Sequence, residues 1–448
     1  MYPATSEINK GALSLMPLGS GDSFGMGFYP LVFTTPQEEM LACRKGAWLG
    51  VALTISPTYD LTGPDVVKLL NHASINRDYA KLKVGRSRHV IMCNDQGQVI
   101  TEGVLLRTSE ENYRSYWLYP FLGYYVSTMG LDVTATPVLD EYTFQLDGPT
   151  SLQIVERAAK RDLHDLRFGG NTQIEIAGTP VLIYRLGMSG ALAYEMHGKL
   201  ADADVVYGAL LEAGKDLGIV RQGYNQYNLN HTQAGYPNTA IHYWYPFITS
   251  GDEIKNYIVN DPTCPPYWKV NLIAGSAADD VENGFATPYE LGLDYLIKWD
   301  HDFVGRTALE AMRDQPHRSL TTLEWNLEDV GKVFSAQVAD PAMLPFDDIA
   351  NNGDAGKFPI IMSKVLDGER MVGVASGRIR DFYHSTMISL ARIDPELAEE
   401  GTELTVVWGS NPATQRRIRA KVARFPYYQG DWRNETCDVN TMVPRYQG

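Results

Sequence analysis

Thr287-Pro288-Tyr289-Glu290-Leu291-Gly292-Leu293, then Lys298, then Asp302-Phe303-Val304-Gly305-Arg306 with Ala308-Leu309 just behind, is the most informative run in this chain. Within and after it, Phe303 to Met312 predicts a short helix. Toward the N-terminus, strand-like and helix-like segments alternate. Pro36-Gln37-Glu38-Glu39-Met40-Leu41 starts a helix, with acidic residues in the first turn where the helix dipole favours them. Gly63-Pro64-Asp65 opens a second helix, because proline suits a first turn whose N–H is unpaired anyway. Residues 88–107 read as a hairpin around Asn94-Asp95-Gln96-Gly97. A strand over Thr143 to Leu146 precedes Gly148-Pro149, which opens a helix through Arg161. Strands over Gln173 to Ile176 and Pro180 to Leu186 follow, and then a helix from about Ala203 to Leu217. Gly-Pro before a helix thus occurs twice, which suggests two related α+β halves.

Toward the C-terminus the pattern changes. Thr321 to Trp325 reads as a strand, and Ala339 to Lys357 is loop-rich. Met371 to Ala375, Met387 to Ile393, Glu403 to Trp408 and Arg416 to Phe425 are β-type runs with no long helix between them. The tail after Pro426 is polar and is expected to wrap the surface. The class is therefore α+β, with portions at 1–140 and 141–317 and a C-terminal antiparallel β domain at 318–448.

Composition narrows the function. The 448 residues are 44% hydrophobic, enough for one large core or several smaller ones. A formal net charge of -15 repels phosphate backbones and anionic headgroups, so neither a nucleic acid nor a membrane surface is the expected partner. Cys43, Cys93, Cys264 and Cys437 form no CxxC pair, so no metal is expected and reduced thiols are. No 18-residue apolar run exists, and Met1 to Lys10 lacks signal-peptide features, so the expected location is cytoplasmic. Gly19-Ser20-Gly21-Asp22-Ser23, with Gly25 and Gly27, is like a phosphate loop only in composition, since no Gly-Lys-Ser/Thr follows.

In order, Gly63-Pro64-Asp65, Asn94 to Ile100, Gly148-Pro149, Gly187-Met188-Ser189-Gly190-Ala191-Leu192-Ala193-Tyr194-Glu195 and the opening run resemble successive blocks of the glycine-cleavage T-protein superfamily. Lys298 to Ala311, and Gly223-Tyr224-Asn225-Gln226-Tyr227 through Gly235-Tyr236, resemble above all its vanillate, syringate and 3-O-methylgallate O-demethylases. Glycine-cleaving members carry an arginine in the latter region, and residues 223–236 here contain none. The resemblance implies a three-domain ring around a central cleft for tetrahydrofolate. It also implies transfer of a methyl group from an aromatic methyl ether, of the lignin-derived or related xenobiotic kind, to N5 of the coenzyme. Relatives that demethylate sulfonium or methylamine compounds, and a folate-binding protein without activity, are the alternatives. Oligomeric state is left open.

Site roles follow from the same resemblance. Glu195 ends the glycine-rich turn, and its carboxylate can accept paired hydrogen bonds from a pterin's amino group and adjacent ring N–H. Tyr236, Gln145 and Glu102 are further coenzyme candidates, the last near the family's catalytic aspartate; a core aromatic and solvated strand residues are the competing readings. Tyr227 matches the tyrosine beside the transferring methyl. If that piece is helical, His231 shares its face and is a second candidate proton donor. Tyr29, Tyr59 and Arg114 are candidate substrate contacts. Where the demethylases place an arginine for the substrate carboxylate this chain has Leu118, so Arg114 would replace it only if presented inward. The aromatic run Tyr116-Trp117-Leu118-Tyr119 favours a bulky, less polar substrate.

Overall fold

The computed structural model describes residues 2–18, 27–239, 241–261, 273–340 and 360–447. Cys264, the glycine-rich residues 19–25 and most of the loop-rich stretch lie outside them. Three β bodies surround one cavity. A five-stranded sheet runs, in spatial order, Ser87–Cys93, Val99–Arg107, Asn112–Tyr116, Thr58–Thr62 and Thr134–Pro137. A six-stranded sheet runs Asn171–Ile176, Thr179–Tyr184, Ala193–Lys199, Glu141–Asp147, Ala47–Gly50 and Ile219–Gln222. Ala47–Gly50 thus crosses from the N-terminal part of the chain into the second sheet. The third body is a closed antiparallel barrel, with Ser319–Trp325 pairing to both Thr386–Ile393 and Arg416–Ala423.

Side-chain alternation explains how the second sheet serves a site. Tyr142, Phe144, Leu146, Tyr194 and Met196 point to one face and pack with Leu152, Ile154, Val206 and Leu210 of the helices Ser151–Ala159 and Ala203–Gly214. Thr143, Gln145 and Asp147 therefore point the other way, opposite His197, Glu195 and Ala193 in register. This second face is polar and largely buried, which costs free energy wherever its groups lack hydrogen-bond or charge partners.

The opening run of the sequence works as a clamp. Thr287 and Glu290 cap each other reciprocally: Thr287 N–H donates to Glu290 Oε2 at 2.9 Å, and Glu290 N–H to Thr287 Oγ1 at 3.3 Å. Gly305, at φ +85, leads into the helix Arg306–Met312 and lies against the hairpin turn, where a Cβ would sit 2.5 Å from Asn94 O. Leu309 fills the space above Gly97. Two blocks far apart in sequence thus form one packed unit.

The helix Tyr224–Ala234 packs on the barrel strands Arg370–Asp381 and Thr386–Ile393 and on the N-terminal strand Gly27–Val32. It ends at Gly235, whose φ of +76 lets Tyr236 N–H bond back to His231 O at 3.0 Å. Thr232 Oγ1 donates to Gly377 O of the barrel at 2.6 Å, and the Gln233 amide donates to Asp381 at 2.7 Å. Gln233 in turn accepts from Arg44 Nε at 2.9 Å, so one polar chain ties the N-terminal helix Pro36–Lys45 to the barrel through this helix.

Two expectations change. Leu327–Ala339 is a 13-residue helix, N-capped by Asn326 Oδ1 on Asp329 N–H at 3.0 Å, where the sequence reading passed from strand to loop. The tail does not simply wrap the surface. Tyr428, Asn434, Val439 and Val443 are buried, and the last two join the core of the second sheet. Arg185 grips Cys437 O at 2.9 Å and Asn434 O at 3.1 Å, and His164 Nε2 lies 3.1 Å from Val443 O. No helix of the described residues is long and apolar enough to cross a membrane.

Candidate active site

A cavity of about 1040 Å³ opens between the three bodies. Glu102 and Trp117 reach it from the first sheet, Met188 and Glu195 from the second, and Leu320 and Phe425 from the barrel end. Tyr224, Asn225, Tyr227 and His231 come from the central helix. Tyr236 follows just beyond it, with its hydroxyl accepting from Arg433 Nη2 of the tail at 3.0 Å. Glu435, also of the tail, completes that corner.

Glu195 stands on the polar face of the second sheet with its carboxylate at the cavity. Its neighbours are short of partners. Gln145 Oε1 and Asp147 Oδ1 are buried acceptors with no hydrogen bond. Burial pushes Asp147's carboxyl well above its usual range, against the opposing effects of Ser189 and Arg44. Gly187 leaves the approach open, since a Cβ there would sit 2.6 Å from Gln145 Nε2. An accepting carboxylate with unmatched acceptors behind it, beside a notch only glycine permits, suits the N–H-rich edge of a pterin.

Behind Glu195 stands His197. Its Nε2 is 3.8 Å from Glu195 and its Nδ1 is 3.9 Å from Glu141, so charge rather than a hydrogen bond links them. Burial works to lower its pKa, but the two carboxylates overcome burial and raise it to about 9. Near pH 7 this ring is a cation holding two carboxylates in place.

Tyr227 meets Trp48 edge-on at 6.1 Å and His231 edge-on at 5.5 Å. Its hydroxyl makes no hydrogen bond to any described residue. Burial, Glu195 and Asp147 together hold its pKa well above the ordinary value, so it stays a phenol and a donor. His231 shares the helix face as expected and lines the cavity. Its pKa is driven down to about 4 by burial, with Glu102 opposing. It is therefore neutral near pH 7, and Asn238 Nδ2 sits 3.2 Å from its Nε2. That state suits an acceptor, not the proton donor expected from its position.

Glu102 lines the cavity, 2.8 Å from His89 Nε2, and accepts from the Tyr243 hydroxyl. Three other candidates are placed elsewhere. Tyr29 is buried in the core of the second sheet with its hydroxyl on Val51 O. Tyr59 stacks on Tyr119 at 3.7 Å in the first core. Arg114 is not presented inward: it bonds both oxygens of Asp60 at 2.8 Å and Glu141 at 2.8 Å. Burial works against Asp60's ionised carboxylate, but Arg114 holds its pKa below the usual value. None of the three is on the cavity wall. Among the residues it does carry, the sequence reading passed over His89, Phe168, Trp244 and Tyr245. Trp117 stands out within the flagged aromatic run. Its φ is +66, pinned by Ser56 Oγ accepting from its N–H and Thr101 Oγ1 donating to its carbonyl, both at 3.0 Å.

Likenesses to known proteins bear on the family and the fold. Residues 24–240 match the family described as the GCVT N-terminal domain. A sesamin methylene transferase of Sinomonas sp. (strain No.22) is 41% identical over 99% of this chain and 98% of its own. A syringate O-demethylase of Sphingobium sp. is 28% identical over 88% of this chain and 91% of its own. The solved structure of aminomethyltransferase T from Bartonella henselae superposes with a TM-score of 0.64 at 16% identity, over 95% of this chain and 96% of that one, a likeness of fold.

Proposed function

From the premise that this chain belongs to the aminomethyltransferase (T-protein) family, as a tetrahydrofolate-dependent enzyme acting on aromatic ethers, we propose that its donor is a bulky, neutral methoxylated aromatic. The observation that carries this reading is the cavity itself. Its wall includes the aromatic rings of Trp117, Phe168, Trp244 and Tyr245, while the arginine offered by the sequence for a substrate carboxylate, Arg114, is spent on Asp60 and Glu141. A benzoate would bring a charge against that wall, and the two arginines that do line the cavity are engaged elsewhere, Arg88 Nη1 on Arg77 O and Arg318 Nε 3.5 Å from Asp394.

When bound, tetrahydrofolate supplies a nucleophilic nitrogen that takes the one-carbon group. The protein's residues do the rest. Glu195, with Gln145 and Asp147 behind it, would hold the pterin edge, and the His197 ring stands 3.8 Å from the Glu195 carboxylate. Tyr227 donates a hydrogen bond where negative charge grows on the departing aryl oxygen. The aromatic walls orient the ring and exclude water, so that little alignment is left to chance.

A second reading has its own support. The relative at 41% identity is named for transferring a methylene, which favours a donor whose carbon bridges two aryl oxygens. One assay separates the two. The protein is incubated with tetrahydrofolate and matched sets of neutral methoxyarenes, methoxybenzoates and methylenedioxybenzenes. Mass spectrometry then shows whether the coenzyme gains a methyl or a methylene. Turnover confined to neutral methoxyarenes supports the first reading, and methylene gain the second. Preference for benzoates, or for sulfonium or methylamine donors, overturns both.

A further inference from the structure

The mechanism above leaves one carboxylate–imidazole pair in the cavity wall without a task. His89 lies on the edge strand of the first sheet. Ile91, two residues on, has Glu102 as its cross-strand partner, so His89 and Glu102 share one face. His89 Nε2 is 2.8 Å from Glu102 Oε2, and the other carboxylate oxygen accepts from the Tyr243 hydroxyl. Both oxygens of Glu102 are thus occupied and its orientation is fixed. The Nε2 contact fixes the ring's tautomer, leaving Nδ1 with no partner among the described residues. The His89 side chain is 35% accessible against 14% for Glu102, so the imidazole is the open end of the pair.

Three of the other proton carriers in the wall are poorly suited to giving a proton away. His231 is neutral near pH 7, and Tyr227 holds its proton firmly. His317 stacks flat on Tyr289 at 4.3 Å, with its Nε2 buried and unpartnered. Glu102 acts on His231 electrostatically, and His231 meets Tyr227 at 5.5 Å, so the pair belongs to the same end of the cavity as the proposed hydrogen-bond donor.

We propose that His89, held by Glu102, is the catalytic acid that protonates the departing aryl oxygen. This rests on the ether-cleaving reading above. As the carbon–oxygen bond breaks, its electron pair goes to oxygen and the carbon passes to the acceptor nitrogen. A proton moves from His89 Nδ1 to the oxygen, and the phenol leaves. The proton shed by the acceptor nitrogen returns through water to His89, so the cycle is proton-neutral. Glu102 is a positioning residue that balances the ring's charge whenever it carries both protons.

The test uses His89→Gln and His89→Asn in the full chain, with donors of graded leaving group. An ether of an unactivated phenol needs the proton, whereas an ether of a nitrophenol leaves well without it. The unactivated ether should lose roughly 10²- to 10³-fold in turnover, and the nitro ether less than about tenfold. Equal losses on both would mean a structural role and overturn the proposal. A second readout needs neither coenzyme nor turnover. The chromophore 4-nitrophenol is titrated into the protein at a pH below its own pKa. The unmodified protein should bind it as the yellow phenolate, and His89→Gln should lose that band with affinity about tenfold weaker. An unchanged band and affinity also overturn the assignment. If the unmodified protein cleaves no ether at all, the functional reading fails, while the nitrophenol titration still decides the role of His89.

Discussion

The Tyr227 hydroxyl makes no hydrogen bond to any described residue and is held as a phenol by burial, Glu195 and Asp147. Tyr227→Phe should therefore lower kcat about 10²-fold while the tetrahydrofolate Kd moves less than about twofold, as steady-state kinetics and calorimetry would show. Glu195→Gln should do the reverse, weakening coenzyme binding by about 10- to 100-fold through loss of charge-assisted hydrogen bonds. Both stand on the cavity wall, and the sequence could offer them as candidates because each ends a motif. Arg114 and Tyr29 could not be placed, because residue type does not show which partner a side chain will find. Asp60 and Glu141 take Arg114, and Val51 takes Tyr29. His89 carried no signal at all. Only the cross-strand register of the hairpin reveals that it faces Glu102.

At the scale of elements, the polar face of the second sheet ties stability to pH. The pKa of His197 is about 9 in the fold against an ordinary value of 6.5. A raised pKa contributes stability that is complete below the unfolded value and is lost as pH climbs through the folded one. Urea denaturation should therefore show a loss of about 3 kcal/mol between the two values, and His197→Gln should flatten that limb. His231 runs the other way: its folded value of about 4 means stability falls as pH drops from 6.5 toward 4. A second contact concerns the barrel and the central helix. Gly377 has φ +61, and a Cβ there would collide with the His242 ring and lie 2.9 Å from Thr232 Oγ1. Gly377→Ala should cost about 1–3 kcal/mol, measured by denaturation, with the circular-dichroism spectrum unchanged. Helices and strands of this chain are largely readable from Gly-Pro starts and alternation. The helix Leu327–Ala339 escaped because its cap, Asn326, adjoins a strand and its C-terminal end runs into a proline-rich stretch.

For the molecule as a whole, the order of blocks along the chain gave away the architecture, since each block packs on another distant in sequence, as Gly305 does on Asn94. The shape of the cavity could not be read in that way, because its wall draws single residues from every body. The tail shows this most plainly: composition marked it as polar, yet Arg433 holds Tyr236 and Glu435 lines the cavity. Removing residues 427–448 should abolish turnover and uncover the part of the second-sheet core that Val439 and Val443 join, seen as increased dye binding and faster proteolysis.

The anchoring of those last residues also bears on how the protein comes into being. A chain leaves the ribosome at about 5–20 residues per second, N-terminal segments first. Both sheets and the barrel emerge before Arg433, Glu435 and Val443 do. The chamber therefore stays unfinished until this segment, made after every strand of the three bodies, has packed back against the half of the molecule that was made first.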